Sequence, residues 1–197
     1  MIGLRGKTVT NKQELIDEVT AYMNHAVFAA DCLTAYLSIH DLMGDDSKLN
    51  KSPGFFTISL YSLSKCLLLE LAKLYCGSGN ERTIYKLEKI IKANNQFFSA
   101  KEPIIAVTQQ LEEDLLAAEN TINKLHYRRD KDLAHNDPKY FSGALNPAEG
   151  NYISPDECWK LIGIVADYCN EILSRLDNRT IFYPTIGSDD LAQLVLD

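Results

Sequence analysis

Residues 154–177 read SPDECWKLIGIVADYCNEILSRLD, and this stretch decides the fold. Ser154 offers a side-chain oxygen for an N-cap, Pro155 has its φ preset for a first helical turn, and Glu157 completes a capping box three residues on. Behind that start, Trp159, Ile162, Val165, Cys169, Ile172 and Leu176 recur three and four apart, the spacing of one buried helical face. The same period governs the rest of the chain, and strand-like alternation is absent.

Upstream, Pro138 to Ile153 carries no helical period, and a loop this long is uncommon in a compact domain and often functional. Before it, Ser99-Ala100-Lys101-Glu102 with Pro103 opens a fourth helix. Its seam is Ile104, Val107, Leu111, Leu115, Ile122 and Leu125, and it runs toward His135 until Asn136-Asp137-Pro138 stops it. A third helix begins near Glu81, with Ile84, Leu87 and Ile91 on one side and Arg82, Lys86 and Lys89 on the other. The second runs from Ser52-Pro53 to Cys76 and is apolar nearly all round, which places it at the centre of a bundle. The first carries Leu15, Val19, Tyr22, Ala26, Ala29, Leu33 and Tyr36, with a capping box at Thr10 or Asn11 and a stop at Gly44. The expected architecture is an all-α, up-and-down bundle of about five helices over residues 1–177, then an extension, 178–197, ending in a short amphipathic helix from Ser188 to Asp197.

The chain has 197 residues, 46% hydrophobic and 24% charged, with a net charge of −7. That is the composition of a single globular domain, and so acidic a chain is not one that coats nucleic acid indiscriminately. No run of about eighteen consecutive apolar residues occurs and no secretory signal opens the chain, so no membrane association is expected. Five cysteines, Cys32, Cys66, Cys76, Cys158 and Cys169, form no C-x-x-C pair, and four fall in apolar helical stretches. They read as inert thiols in a reducing cytoplasm, with no metal site and no cofactor expected. P-loop, dinucleotide, nucleophile-elbow and zinc-protease signatures are all missing. Glu112, Glu113 and Asp114 form an acidic knot without a His at ligand spacing, and His25 and His40 read as structural or surface residues of the first helix.

One segment carries chemistry: Lys124-Leu125-His126-Tyr127-Arg128-Arg129-Asp130-Lys131-Asp132-Leu133-Ala134-His135-Asn136-Asp137. An imidazole at a helix C-terminus flanked by guanidinium groups suits metal-independent phosphodiester cleavage: the imidazole moves a proton and the guanidinium stabilises charge developing on phosphorus. On an unbroken α-helix Arg128 and His135 lie about 20° apart in facing and about 10 Å along the axis, whereas Arg129 stands about 120° from His135. Three arrangements answer that offset: the helix deforms, Arg128 is the working arginine, or a partner subunit supplies the pairing.

The wording Arg129-Asp130-Lys131-x-x-Ala134-His135-x-Asp137 resembles the Arg-to-His motif of the HEPN superfamily, in its abortive-infection AbiU-type branch. That resemblance, extending over roughly residues 11–177, implies a dimeric all-α bundle and an endoribonuclease of toxin–antitoxin or phage-defence systems, leaving cyclic phosphate ends. It implies His135 as base or acid on the ribose 2′-hydroxyl and its leaving group, Arg129 steadying the phosphorane, and Asp130 orienting the arginine. Arg128, Lys131, Lys124, Lys86 and Lys89 would then contact RNA, with an antitoxin protein as a possible further partner. Asp137 stands where toxins silenced by a nucleotidyltransferase carry a Tyr, the nearest Tyr being Tyr140, so the resemblance does not by itself imply that form of regulation.

Two other readings share these residues: a catalytically silent HEPN-like module that binds RNA or protein, and a dimeric helical scaffold whose Arg, His and Asp residues close a helix by surface ion pairs. The charge of −7 is itself a sum of unlike parts. Residues 54–101 hold seven basic and three acidic groups and residues 124–139 five and three, against five acidic and no basic groups over 102–123. A confined basic cleft for a few nucleotides of single-stranded RNA, between the third helix and the end of the fourth, is the expected site.

Overall fold

A computed structural model describes residues 9–42, 52–77, 81–99, 102–133 and 148–183. Six α-helices form the described bundle: α1 (Lys12–Leu42), α2 (Pro53–Tyr75), α3 (Ile84–Ala93), α4 (Glu102–Ala117), α5 (Glu119–Arg128) and α6 (Pro155–Asp177). No strand occurs among the described residues. The predicted stops at Gly44 and at Asn136-Asp137-Pro138, most of the loop after Pro138, and the helix from Ser188 lie outside the described residues.

The apolar seams pack as their spacing predicts. Leu15, Val19, Tyr22, Ala26, Ala29 and Leu33 of α1 are buried, as are Ile162, Val165, Cys169, Ile172 and Leu176 of α6 and Ile84, Leu87 and Ile91 of α3. Helices α1 and α2 run antiparallel, since His25 meets Glu70 while Leu33 and Tyr36 share a small cavity with Ser64 and Leu67. Helix α6 packs chiefly along α1 and also against α4. The buried Tyr75 hydroxyl of α2 donates to the Leu161 carbonyl at 2.6 Å.

Two expectations are corrected. The predicted fourth helix is two helices, interrupted at Ala118, whose backbone leaves the helical region at φ −103° and ψ 2°. Lys160 of α6 donates its ammonium to the Ala117 carbonyl at 3.0 Å, and a side chain that takes a ladder carbonyl is a recognised cause of a helix break. Helix α2 is buried only in part. Leu67, Leu68, Leu71 and Leu74 enter the core, but Phe55, Ile58 and Tyr61 are more than 60% exposed. An apolar circumference demands neighbours on all sides, and among the described residues the first half of α2 lacks them. By length and composition alone α2 is also apolar enough to cross a membrane.

Helix α6 begins with the predicted capping box: Ser154 Oγ accepts from Glu157 N at 3.2 Å, and Glu157 Oε2 accepts from Ser154 N at 2.8 Å. The remaining oxygen accepts from Lys124 Nζ at 2.7 Å and Thr121 Oγ1 at 3.1 Å, tying α5 to α6. The Lys124 ammonium first, then the Ser154 amide, hold the Glu157 carboxyl down at about 2. The unfolded chain, where Glu titrates near about 4.3, binds that proton more tightly, so acid favours unfolding. The contribution is complete above about pH 4.3 and is lost as pH falls through 2. Urea denaturation between pH 5 and pH 2.5 should therefore show a steeper loss of stability in the natural protein than in Glu157→Gln; equal slopes would refute the linkage.

Candidate functional site

Helix α5 does not run straight into the segment that carries the motif. Its α-winding ends at Arg128, and Arg129–Leu133 forms a π-helical turn. The Arg129 amide marks the change, donating to both the His126 and Leu125 carbonyls. A π turn winds less per residue than an α-helix and is frequent at functional sites. The offset of about 120° between Arg129 and His135 assumed an unbroken α-helix, and that premise fails here. His135 itself lies outside the described residues.

The two neighbouring arginines separate. Arg128 borders a cavity of about 80 Å³ between α1, α2 and the start of α6, together with Tyr152 and Cys158. Arg129 borders a cleft of about 600 Å³, the larger by far. Asp130 holds it there, accepting from Arg129 Nε at 2.8 Å and from a terminal guanidinium nitrogen at 2.7 Å. Partial burial alone would lower the guanidinium pKa, but the hydrogen bond and charge of Asp130 outweigh it and leave the pKa raised. The group is a fixed positive charge at the cleft wall.

The rest of the wall comes from α1 and the end of α2, with Tyr22, His25 and Lys73 on it, and from Arg82 in the segment leading into α3. That segment folds tightly against the end of α2: a Cβ on Gly77 would lie 2.6 Å from Thr83 Cγ2 and 2.8 Å from Glu81 Oε2. The close approach brings Glu81 and Arg82 to the cleft, where Arg82 meets Glu18 of α1 at 3.3 Å. Cys76 also borders the cleft, but burial pushes its thiol up to about 12, the nearby Arg129 only partly opposing this, so it is no nucleophile there.

The other expected contacts are scattered. Lys124 is engaged with Glu157 at the seam between α5 and α6. Lys86 and Lys89 project from the exposed side of α3 and are not part of the wall. Lys131 lies within the π turn. Lys92 pairs with Glu88 at 2.5 Å and Glu112 at 2.7 Å, so one member of the acidic knot links α4 to α3. Among the described residues no group of three or more His, Cys, Asp or Glu side chains could hold a metal ion.

His25, expected from the sequence to be a structural or surface residue of the first helix, has a side chain 47% exposed. It borders the cleft, and its Nδ1–H donates to Glu70 Oε2 at 2.6 Å, while Lys73 donates to the other oxygen at 2.5 Å. Nothing in the local sequence announces this, because Glu70 is 45 residues away and belongs to another helix.

With the geometry in place, comparison with known proteins adds one finding. The model of a family described as HEPN_AbiU2: AbiU2 matches residues 12–194. No curated protein and no solved structure matches.

Proposed function

The chain belongs to the AbiU2 family of HEPN proteins, and from that membership we propose that it is a metal-independent endoribonuclease of a toxin or phage-defence system, acting in the cytoplasm on single-stranded RNA. The observation that carries the reading is the separation of the arginines: the one in the motif position, Arg129, borders the large cleft and is held by the Asp130 that follows it. A guanidinium fixed by a carboxylate presents its remaining N–H groups in a rigid fork, which suits the oxygens of a phosphorane. His135 supplies proton transfer in this reading, and Arg82, Lys73 and Arg129 supply the positive charge that draws in the phosphodiester.

The working unit is a homodimer in this proposal, in which two motifs share one region of surface. The exposed Phe55, Ile58 and Tyr61 of α2 are the kind of apolar patch that a second copy covers. A cytoplasmic antitoxin protein is a further partner under the same reading.

The test is direct. The purified chain, incubated with mixed-sequence single-stranded RNA in excess chelator, should produce fragments ending in 2′,3′-cyclic phosphate, and it should sediment as a dimer. RNA bound but uncut under these conditions would favour the silent module instead. Neither binding nor cutting would leave only the helical scaffold.

A further inference from the structure

Cleavage of RNA to a cyclic phosphate needs two proton transfers, one from the attacking 2′-hydroxyl and one to the departing 5′-oxygen. The family motif offers one imidazole per chain. The cleft that Arg129 borders is also lined by another, His25 of α1, more than a hundred residues before Arg129 in the chain.

Its setting is that of a held base. Glu70 has a side chain only 10% exposed, so its carboxylate needs partners, and it finds them in His25 Nδ1 and Lys73 Nζ. A carboxylate can only accept, so Nδ1 carries the proton and the ring orientation is fixed. In the neutral ring the lone pair is then on Nε2, which has no hydrogen-bond partner among the described residues, and the His25 side chain is 47% exposed. The same carboxylate–imidazole order makes the distal nitrogen a proton acceptor in hydrolases of unrelated fold. Tyr22, one turn earlier on α1, borders the same cleft, and its buried hydroxyl has no partner among the described residues. An unsatisfied buried hydroxyl is costly unless something pairs with it, and a polar ligand in the cleft would do so.

We propose that His25 is the general base of this cleft. This rests on the ribonuclease reading above and assigns a residue outside the motif to the first proton transfer. Nε2 takes the proton of the ribose 2′-hydroxyl. The O2′–P bond forms while the P–O5′ bond breaks, with Arg129 on the phosphoryl oxygens. The departing O5′ takes its proton from solvent. The products are a 2′,3′-cyclic phosphate and a 5′-hydroxyl, with no net oxidation or reduction and no co-reactant. Glu70 orients the ring and does not touch the substrate.

The experiment uses the full chain and a single-stranded RNA oligonucleotide that the natural protein cuts, with its 2′-deoxy analogue as an uncleavable ligand. His25→Ala, at a half-exposed position, should lower kcat about 10²- to 10⁴-fold. Affinity for the 2′-deoxy analogue should stay within about twofold, because the contact removed is to the missing hydroxyl. Added imidazole should restore cleavage in proportion to its free-base concentration, a response that a merely structural histidine would not give. Three results overturn the proposal alone: an unchanged kcat, a loss of affinity as large as the loss of rate, or no rescue by imidazole. A natural protein that cuts no RNA at all overturns the ribonuclease reading, and this inference falls with it.

Discussion

Replacing Arg129 with Ala is expected to lower RNA cleavage about 10²- to 10³-fold, and His135→Ala about 10²- to 10⁴-fold, with growth arrest on expression relieved in both. Arg128→Ala should change the rate less than about threefold. The contrast follows from placement. Arg129 faces the cleft of about 600 Å³ with its Nε and one terminal nitrogen committed to Asp130, whereas Arg128 borders the small cavity beside Tyr152 and Cys158. Truncating Arg129 strands no buried charge, because the Asp130 side chain is 49% exposed and water can take the place of the guanidinium. A loss of cleavage in Arg129→Ala therefore reports on the transition state and not on folding, which a matching thermal melt would check. Arg129→Lys should recover only part of the rate, since an ammonium keeps the charge but not the planar fork. Equal losses for Arg128→Ala and Arg129→Ala would remove the structural basis for choosing between them.

The choice between those arginines shows where sequence reading ends. The seams of α1, α3 and α6 were legible because burial of a helix face leaves a period of three and four, and Leu15 to Leu33 or Ile162 to Leu176 keep it without interruption. The capping box at Ser154 and Glu157 was legible because both partners lie within one turn. What failed depended on residues far away in sequence. At the break at Ala118 the Ala117 carbonyl is taken by Lys160, 43 residues beyond it. The exposed half of α2 has an apolar sequence like that of its buried half, and only the placement of neighbours distinguishes them. The candidate site divides in the same way. The motif singled out Arg129 and Asp130, and a straight-helix projection toward His135 gave Arg128 the better alignment, but it is Arg129 that borders the large cleft, and which arginine does so depends on how α5 packs against α1 and α2. The contact between His25 and Glu70 was not legible either, because its partners lie 45 residues apart on different helices.

The largest stability effect is expected at Tyr75, the residue that ends α2 next to the cleft. Its side chain is 1% exposed, and its hydroxyl donates to the Leu161 carbonyl of α6 at 2.6 Å. Burial raises the phenol pKa well above its ordinary value, so the group stays neutral and donates over the whole working pH range. Tyr75→Ala removes a whole aromatic ring between α2 and α6 and should cost about 3–5 kcal/mol, the range for a large aromatic cut back to Ala in a core that relaxes only in part. Tyr75→Phe keeps the ring and loses only the hydrogen bond. Leu161 lies inside α6, so its carbonyl keeps its helical partner and only a second lone pair goes unused. That change should cost about 0.5–1.5 kcal/mol. Urea denaturation of the two variants separates volume from hydrogen bonding. If Phe cost as much as Ala, the hydroxyl and not the packed ring would be what joins the helices. The same pair of variants bears on the cleft. Leu74 and Cys76, on either side of Tyr75 at the end of α2, border the cleft that Arg129 also borders, so the ending of α2 forms part of the cleft wall. Tyr75→Phe, which leaves that ending in place, should keep RNA cleavage near the natural rate below its melting temperature, whereas Tyr75→Ala should lose cleavage in parallel with structure.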